Sequence, residues 1–274
     1  MRKSRPAKLA LHAAAVAVSG LALLPGRISV DPSVPARPLL IVHAGGGIAE
    51  GTDSNSQEAL DQSYAKGHRR FEIDLSWTTD ARLVLAHDWD GSFKQWFADA
   101  DTRPSLEAFK AMEMKDGLTQ MTLEDLYEWL RRHEDAHIVT DVKVRNLDAL
   151  RVIAGTAGSL TERFIPQVYQ SGELGSVRAL GFENVIFTMY RTRATPSQVL
   201  SFGSNNDLFA VTMPWKRALS LSLPQELRKR GVFVYAHTVN SLDVWRELQD
   251  VGVSGIYTDF LTPAEIARVA GVEQ

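Results

Sequence analysis

The sequence predicts an α/β fold, a (β/α)₈ or TIM barrel with a lid-like insertion after its second strand. Eight short apolar runs rich in β-branched residues alternate with segments of helical periodicity, a pattern typical of a parallel sheet covered by helices. The pattern extends over about 235 residues, the usual size of a single barrel. An open doubly wound sheet is the alternative, but Gly45, Gly46 and Gly47 lack the spacing of a dinucleotide-binding loop.

The apolar runs predict the strands in order, and the segments between them predict the helices. Strands are expected at 39–43, 70–75, 137–142, 164–169, 184–189, 208–213, 232–238 and 254–259. Helices are expected near 56–67, 122–134, 146–157, 171–180, 196–202, 222–230, 241–251 and 262–270. The helix starts carry capping residues, namely Asn55 with Glu58, Thr122 with Asp125, and Asn240 or Ser241.

Two further segments stand apart from this repeat. Residues 1–36 contain a basic start and a 16-residue apolar run, shorter than the ~20 residues of a spanning helix. They predict a signal for export to the periplasm or the medium, with an uncleaved membrane anchor as the alternative, followed by one domain at 37–274. The second segment, at about 89–120, is too long for an ordinary connection and predicts an insertion over the barrel mouth, as a substrate lid or as simple packing.

Charge and cysteine content exclude several classes. Five of the 30 Lys and Arg residues and one of the 33 Asp and Glu residues lie in 1–36, which leaves 25 against 32 and a net charge of −7. An acidic domain without a basic stripe is not expected to bind nucleic acid. The chain has no cysteine, which excludes disulfides and a lipid on an N-terminal cysteine. Nothing in the sequence decides the oligomeric state.

Acidic residues close two of the predicted strands. Glu72 and Asp74 are two positions apart, so both point to the same side of their strand, which in a small barrel is the interior. Asp141 ends the next strand. Because clustered buried carboxylates are costly without a cation, and oxygen ligands suit hard cations, we expect one Ca²⁺ or Mg²⁺ here. Pairing with Lys143 or Arg70 is the structural alternative.

Two histidines stand where the chain leaves the apolar layer. His43 ends the first strand, and His87 ends a further short apolar run, beside Asp88. Histidine titrates near neutral pH, so one imidazole can act as a base while the other protonates a leaving alkoxide. We therefore predict that His43 and His87 are catalytic.

Together these residues resemble the glycerophosphodiester phosphodiesterases, in the phosphatidylinositol-specific phospholipase C-like phosphodiesterase superfamily. The resemblance covers nearly all of 37–274, and the order of the motifs makes it specific. The motifs are His43 with Gly45; Asn55, Ser56 and Glu58; Glu72 and Asp74; His87 and Asp88; Asp141 and Lys143; Thr238, Val239 and Asn240; and Gly252, Gly255, Thr258 and Asp259.

The resemblance implies hydrolysis of a small-molecule or lipid-derived glycerophosphodiester to an alcohol and glycerol phosphate. It implies metal ligation by Glu72, Asp74 and Asp141, acid and base roles for His43 and His87, and a position beside the phosphate for Lys143. By position at strand ends, Gln167 and His237 are expected to contact the substrate as well.

Two positions depart from the family pattern. Ala44 replaces the usual arginine, so a phosphate contact is absent or is supplied by Lys143 or by the amides of Gly45–Gly47. Asp141 replaces the usual glutamate, which keeps the charge on a shorter arm. The alternatives are a phospholipase D or sphingomyelinase D type of lipid phosphodiesterase, and a non-catalytic barrel that binds ligands in the cell envelope.

Overall fold

The computed structural model describes residues 39–49, 51–97 and 102–269. The predicted export segment at 1–36 lies outside these residues. Eight parallel strands close into a barrel, because β1 pairs with β2 on one side and with β9 on the other. The strands are β1 (Leu40–Val42), β2 (Arg70–Trp77), β3 (Leu83–Leu85), β4 (His137–Asp141), β5 (Phe164–Val168), β6 (Ile186–Thr188), β7 (Ala210–Pro214), β8 (Val234–His237) and β9 (Gly255–Thr258).

The strands follow one another around the barrel in chain order, except that β3 is a short hairpin partner of β2. β3 pairs antiparallel with β2, outside the closed ring. The helices are α1 (Gln57–Ala65), α2 (Gly91–Trp96), α3 (Leu106–Ala111), α4 (Leu123–Arg132), α5 (Asn146–Thr156), α6 (Leu174–Ala179), α7 (Pro196–Asn205), α8 (Trp215–Ser220), α9 (Leu223–Lys229), α10 (Leu242–Asp250) and α11 (Pro263–Val269). The TIM barrel predicted from the sequence is confirmed.

Alternation along the strands separates two apolar layers. Side chains between strands and helices form the larger core cluster, while a smaller cluster of one residue from most strands fills the barrel centre, among them Ile41, Val139 and Ile165. On β2 the apolar residues Phe71 and Ile73 belong to the outer layer, so Glu72 and Asp74 face inward. The barrel interior is therefore polar along β2, as the spacing of the two acids predicts.

The caps agree with the sequence at two helices and differ at one. Thr122 and Asp125 form a reciprocal capping box on α4, and Ser241 caps α10. At α1 the prediction of Asn55 with Glu58 is wrong, because Ser56 accepts the hydrogen bond from the amide of Ala59. Glu58 instead binds the backbone and hydroxyl of Thr119.

The insertion after β2 packs around its own aromatic cluster. β3, α2 and α3 enclose Phe93, Trp96, Phe97 and Phe109, all buried. The indole of Trp96 donates to the carbonyl of Thr52 at 2.9 Å, in the loop after β1. The insertion is thus a small structural unit on the barrel; its role as a lid stays a prediction.

Within 39–49, 51–97 and 102–269, no helix has the length and apolar character required to span a bilayer.

Candidate active site

A cavity of about 190 Å³ opens at the carboxyl ends of the barrel strands, where active sites of this fold lie. Eight of the nine predicted site residues line it, and Gly45 does not. The lining residues are His43, Glu72, Asp74, His87, Asp141, Lys143, Gln167, Thr188, Tyr190, His237 and Tyr257.

Three carboxylates meet at one wall of the cavity. Asp74 and Asp141 are direct partners in the pairing of β2 with β4, which places their side chains next to each other. Glu72 lies one inward-facing position earlier, and a ligand oxygen from each of the three acids lies within 4.8 Å of the others. All three residues are buried. Burial and the charge of Asp74 raise the pKa of Glu72 well above its usual value.

Lys143 is the cation that the chain itself supplies to these acids. Its ammonium lies 2.5 Å from Asp74 and 2.9 Å from Asp141. Burial lowers the pKa of Lys143, but the charges of Asp74 and Asp141 outweigh burial and raise it. Lys143 offers one ammonium to three buried carboxylates, and among the described residues the hydrogen bond to Glu72 comes from the backbone N–H of Ala44, at 2.9 Å. The oxygen donors, their spacing and the missing positive charge fit a hard divalent cation.

Two tyrosines fix the orientation of Asp141. The hydroxyl of Tyr190 donates to the Asp141 carboxylate, with 2.8 Å to each oxygen, and the hydroxyl of Tyr169 donates to Oδ1. Tyr169 in turn accepts the N–H of Val142 at 3.0 Å. The sequence pattern gives no signal for either contact, because each depends on how separate strands lie around the barrel. These hydrogen bonds hold the carboxylate of Asp141 beside Asp74, its direct partner in the pairing of β2 with β4.

Asn55 holds Asp74 in a similar way. Its amide nitrogen donates to Asp74 Oδ2 at 3.1 Å, and its carbonyl oxygen accepts the Asp74 backbone N–H at 3.0 Å. Asn55 has a φ of 50°, a left-handed conformation that asparagine tolerates better than most residues. Sequence reasoning assigned Asn55 to a cap, since an Asn before a helix usually has that role, and so missed this contact.

His43 is anchored by an aspartate from the other end of the chain. Its Nδ1 lies 2.9 Å from Asp259 and 3.7 Å from Asp53. Burial lowers the pKa of His43, but the hydrogen bond to Asp259 and the charges of Glu72, Asp259 and Asp74 raise it to about 10. Asn240 holds Asp259 in place, by donating to its carboxylate at 2.6 Å and accepting its backbone N–H at 2.8 Å.

His87 has a carboxylate partner of its own. Its Nδ1 lies 2.7 Å from Asp88, whose other oxygen accepts the backbone N–H of Asp90 at 2.8 Å. Asp88 therefore orients both the histidine and the local backbone. Because each Nδ1 is engaged by a carboxylate, Nε2 of His43 and Nε2 of His87 are the ring nitrogens available for proton transfer.

The remaining wall combines neutral polar groups. Burial, with the charge of His43, lowers the pKa of His237 to about 4, so this histidine is neutral at neutral pH. In the described part of the chain, His237 Nε2 and Thr188 Oγ1 are buried and have no hydrogen-bond partner. Buried polar atoms are normally satisfied, so these two atoms mark places for water or substrate hydroxyls. Gln167 lies on the same wall.

The turn after β1 does not present Gly45 to the cavity. The Gly45 carbonyl accepts a hydrogen bond from Ser63 at 2.9 Å, and a β-carbon added to Gly45 would meet Leu60 of α1 at 3.5 Å. Ala44 is fully buried. Of the two substitutes considered for the missing arginine, only Lys143 lies on the cavity wall.

Comparisons with known proteins give a matching family and solved structures of the same fold. The model of the glycerophosphoryl diester phosphodiesterase family matches residues 43–262. A glycerophosphodiester phosphodiesterase from Parabacteroides distasonis is similar in structure, with a TM-score of 0.68, 20% identity, and coverage of 85% of this chain and 96% of that one. An enzyme of the same name from Thermotoga maritima has a TM-score of 0.62 and 17% identity, with coverage of 86% of this chain and 98% of that one. A phosphodiesterase from Oleispira antarctica, solved with the product sn-glycerol-3-phosphate, has a TM-score of 0.61 and 16% identity. The match covers 85% of this chain and 97% of that one.

Proposed function

The chain belongs to the glycerophosphoryl diester phosphodiesterase family, and from this we propose that it hydrolyses glycerophosphodiesters with one bound Ca²⁺ or Mg²⁺. The observation that carries the proposal is a single cavity in which three carboxylates face two imidazoles, each anchored by its own aspartate. The product complex of the Oleispira antarctica phosphodiesterase supports glycerol phosphate as the product here.

Glu72, Asp74 and Asp141 would hold the cation. When bound, it supplies Lewis-acid stabilisation of the charge that develops on the phosphoryl oxygens. The Lys143 ammonium, already on the same wall, adds a second positive charge for the phosphate and takes the place of the arginine absent at Ala44. Asn55 and Tyr190 keep the carboxylates in position.

The two histidines divide the proton transfers. His87 takes the proton of the attacking hydroxyl on Nε2, as the new P–O bond forms. His43, whose pKa is raised by the hydrogen bond to Asp259, gives its Nε2 proton to the oxygen of the leaving alcohol as that P–O bond breaks. The nucleophile is water, or the neighbouring glycerol hydroxyl, which gives a cyclic phosphate that water then opens.

A substrate panel tests the proposal. The protein without residues 1–36 is incubated with glycerophosphocholine, glycerophosphoethanolamine and glycerophosphoglycerol, with chelator and after add-back of Ca²⁺ or Mg²⁺. We expect release of glycerol phosphate that stops with chelator and returns with one of the metals. No release from any diester under any metal would overturn the proposal, and release that chelator does not change would overturn its metal-dependent part.

A lysophospholipid in the same panel distinguishes the lipid phosphodiesterase alternative, which the aspartate at 141 favours. We further infer export from residues 1–36; fractionation of expressing cells, with N-terminal sequencing of the product, tests this inference. Recovery of the unprocessed chain in the cytoplasm would contradict it.

A further inference from the structure

A second cavity, a groove of about 730 Å³, adjoins the catalytic cavity. Lys143 lines both, and Tyr169, whose hydroxyl binds Asp141, lines the groove. The catalytic cavity, at about 190 Å³, is smaller than the ~300–1,000 Å³ that hold most small ligands. A diester whose phosphorus lies at the carboxylates must therefore extend beyond this cavity, and the groove is a neighbouring space that can receive it.

The groove is basic on an acidic protein. Five cationic side chains line it against two acidic ones, although the whole chain has a formal charge of −3. The acids of the groove are already engaged: Asp148 binds Arg145 at 2.9 Å and Arg151 at 2.6 Å, and Glu173 accepts backbone N–H groups. One carboxylate between two guanidinium groups leaves a positive excess.

Two further arginines of the groove have no acidic partner among the residues that the structure describes. In the described part of the chain, no carboxylate lies within 4.0 Å of Arg191 or Arg193, and both side chains are exposed. The guanidinium of Arg191 lies 5.6 Å from the ring of Tyr169, the residue whose hydroxyl binds Asp141 in the catalytic cavity. The first turn of the 11-residue helix α5 also lines the groove, so the positive end of its dipole adds to the field.

We propose that this groove, through Arg191 and Arg193, is a subsite for a second anionic group, a phosphate, carried by the alcohol part of the substrate. Guanidinium groups bind phosphate oxygens by paired hydrogen bonds, and a basic cleft concentrates anions near the cavity. The inference rests on the proposed function and extends it: the favoured substrates are diesters with more than one phosphate, rather than those with a choline or ethanolamine group.

Two related diesters test the subsite. Glycerophosphoglycerol and bis(glycerophospho)glycerol have the same atoms around the scissile bond, and the second carries one more phosphodiester charge. We expect wild-type kcat/KM to be at least tenfold higher for the more anionic diester. In the double variant R191Q/R193Q this preference should fall to within about twofold, mainly through a higher KM for the more anionic diester. R132Q, which removes an exposed arginine from the last turn of α4, is the matched control.

The outcomes separate this inference from the proposed function. Equal kcat/KM for the two diesters in the wild type, with both hydrolysed, overturns the subsite and leaves the hydrolase intact. If neither these two diesters nor any other diester of the panel is hydrolysed, the proposed function fails, and titration calorimetry of the two intact diesters then tests the subsite. Tighter binding of the more anionic diester that R191Q/R193Q abolishes supports the subsite, and equal binding overturns it.

The same arginines could instead face an anionic lipid surface. Sedimentation with phosphatidylglycerol vesicles tests this. Binding to vesicles that requires Arg191 and Arg193, together with equal turnover of the two soluble diesters, would replace the subsite with a membrane contact. Vesicle binding that is weak or unchanged in R191Q/R193Q, together with the expected preference, supports the subsite.

Discussion

The imidazole of His43 and the carboxylate of Asp259 lie 2.9 Å apart, although the two residues are 216 positions apart in the sequence. The pairing of β1 with β9 brings them together. Val42 and Thr258, the last residues of the two strands, are direct partners, and His43 and Asp259 follow them in the sequence. Asn240, in the loop between β8 and α10, then donates a hydrogen bond to this carboxylate and fixes its position. The closure of the barrel thus creates a histidine held by a carboxylate, which is held by an amide.

Replacing Asp259 with Asn should lower kcat by roughly 10- to 100-fold and leave KM nearly unchanged, because the proton donor loses the carboxylate that orients it. The hydrogen bond and charge of Asp259 raise the pKa of His43, so their loss lowers that pKa. The high-pH limb of the kcat profile should therefore move to lower pH. Asp243→Asn, on the exposed side of α10, is the control. A wild-type profile for Asp259→Asn would contradict the role of Asp259.

Replacing His43 or His87 with Ala should reduce kcat about 10²- to 10⁴-fold, the usual contribution of a general acid or base. Substrate binding should change much less, since the three carboxylates of the cavity, Lys143 and the two arginines of the proposed subsite stay in place. Steady-state kinetics and product-binding calorimetry measure the two effects. The control is His133→Gln, because His133 stacks on Trp129 and does not line the catalytic cavity. Unchanged turnover in His43→Ala would remove His43 from the mechanism.

Glu72→Gln should abolish cation binding in calorimetry and also raise the thermal stability of the cation-free protein. The reason is that Glu72 is buried beside Asp74, and its pKa is raised well above the usual value, so its charged form is unfavourable without a cation. Wild-type protein should gain about 2.7 kcal/mol of stability from a cation at 100 times its Kd. Thermal unfolding with and without cation measures both effects. Equal stabilisation of wild type and Glu72→Gln by the cation would show that it binds elsewhere.

Acid should destabilise the protein partly through His68, which lies outside the active site. Burial, with the charges of Lys66 and Arg69, lowers the pKa of His68 from 6.5 to about 4. Between these values the unfolded chain binds a proton that the folded chain does not, so stability falls as pH decreases from 6.5 towards 4, by up to about 3 kcal/mol. In His68→Gln the urea-unfolding free energy should change less over this range. His137, with a pKa also lowered to about 4, should contribute a separate share. The same pH slope in His68→Gln and wild type would contradict this.

Much of the catalytic cavity could be predicted from the sequence because it depends on local rules. The spacing of Glu72 and Asp74 determines that they share a face of their strand, and the barrel pattern determines that strand ends meet at one mouth. His43, His87, Asp141 and Lys143 follow from the same reasoning, since each stands at the end of an apolar run. These residues do line one cavity.

The sequence by itself thus determined the barrel, its strand order and the set of acids and histidines at its mouth, because alternation and periodicity act over a few residues. Only the tertiary structure decided which partner each group has: Asp259 for His43, Asn55 for Asp74, and Tyr190 for Asp141. The tertiary structure also places Gly45 against Ser63 of α1, outside the cavity lining, and places Arg191 beside the ring of Tyr169. These contacts depend on strand register and barrel closure, which arise from packing across the whole chain.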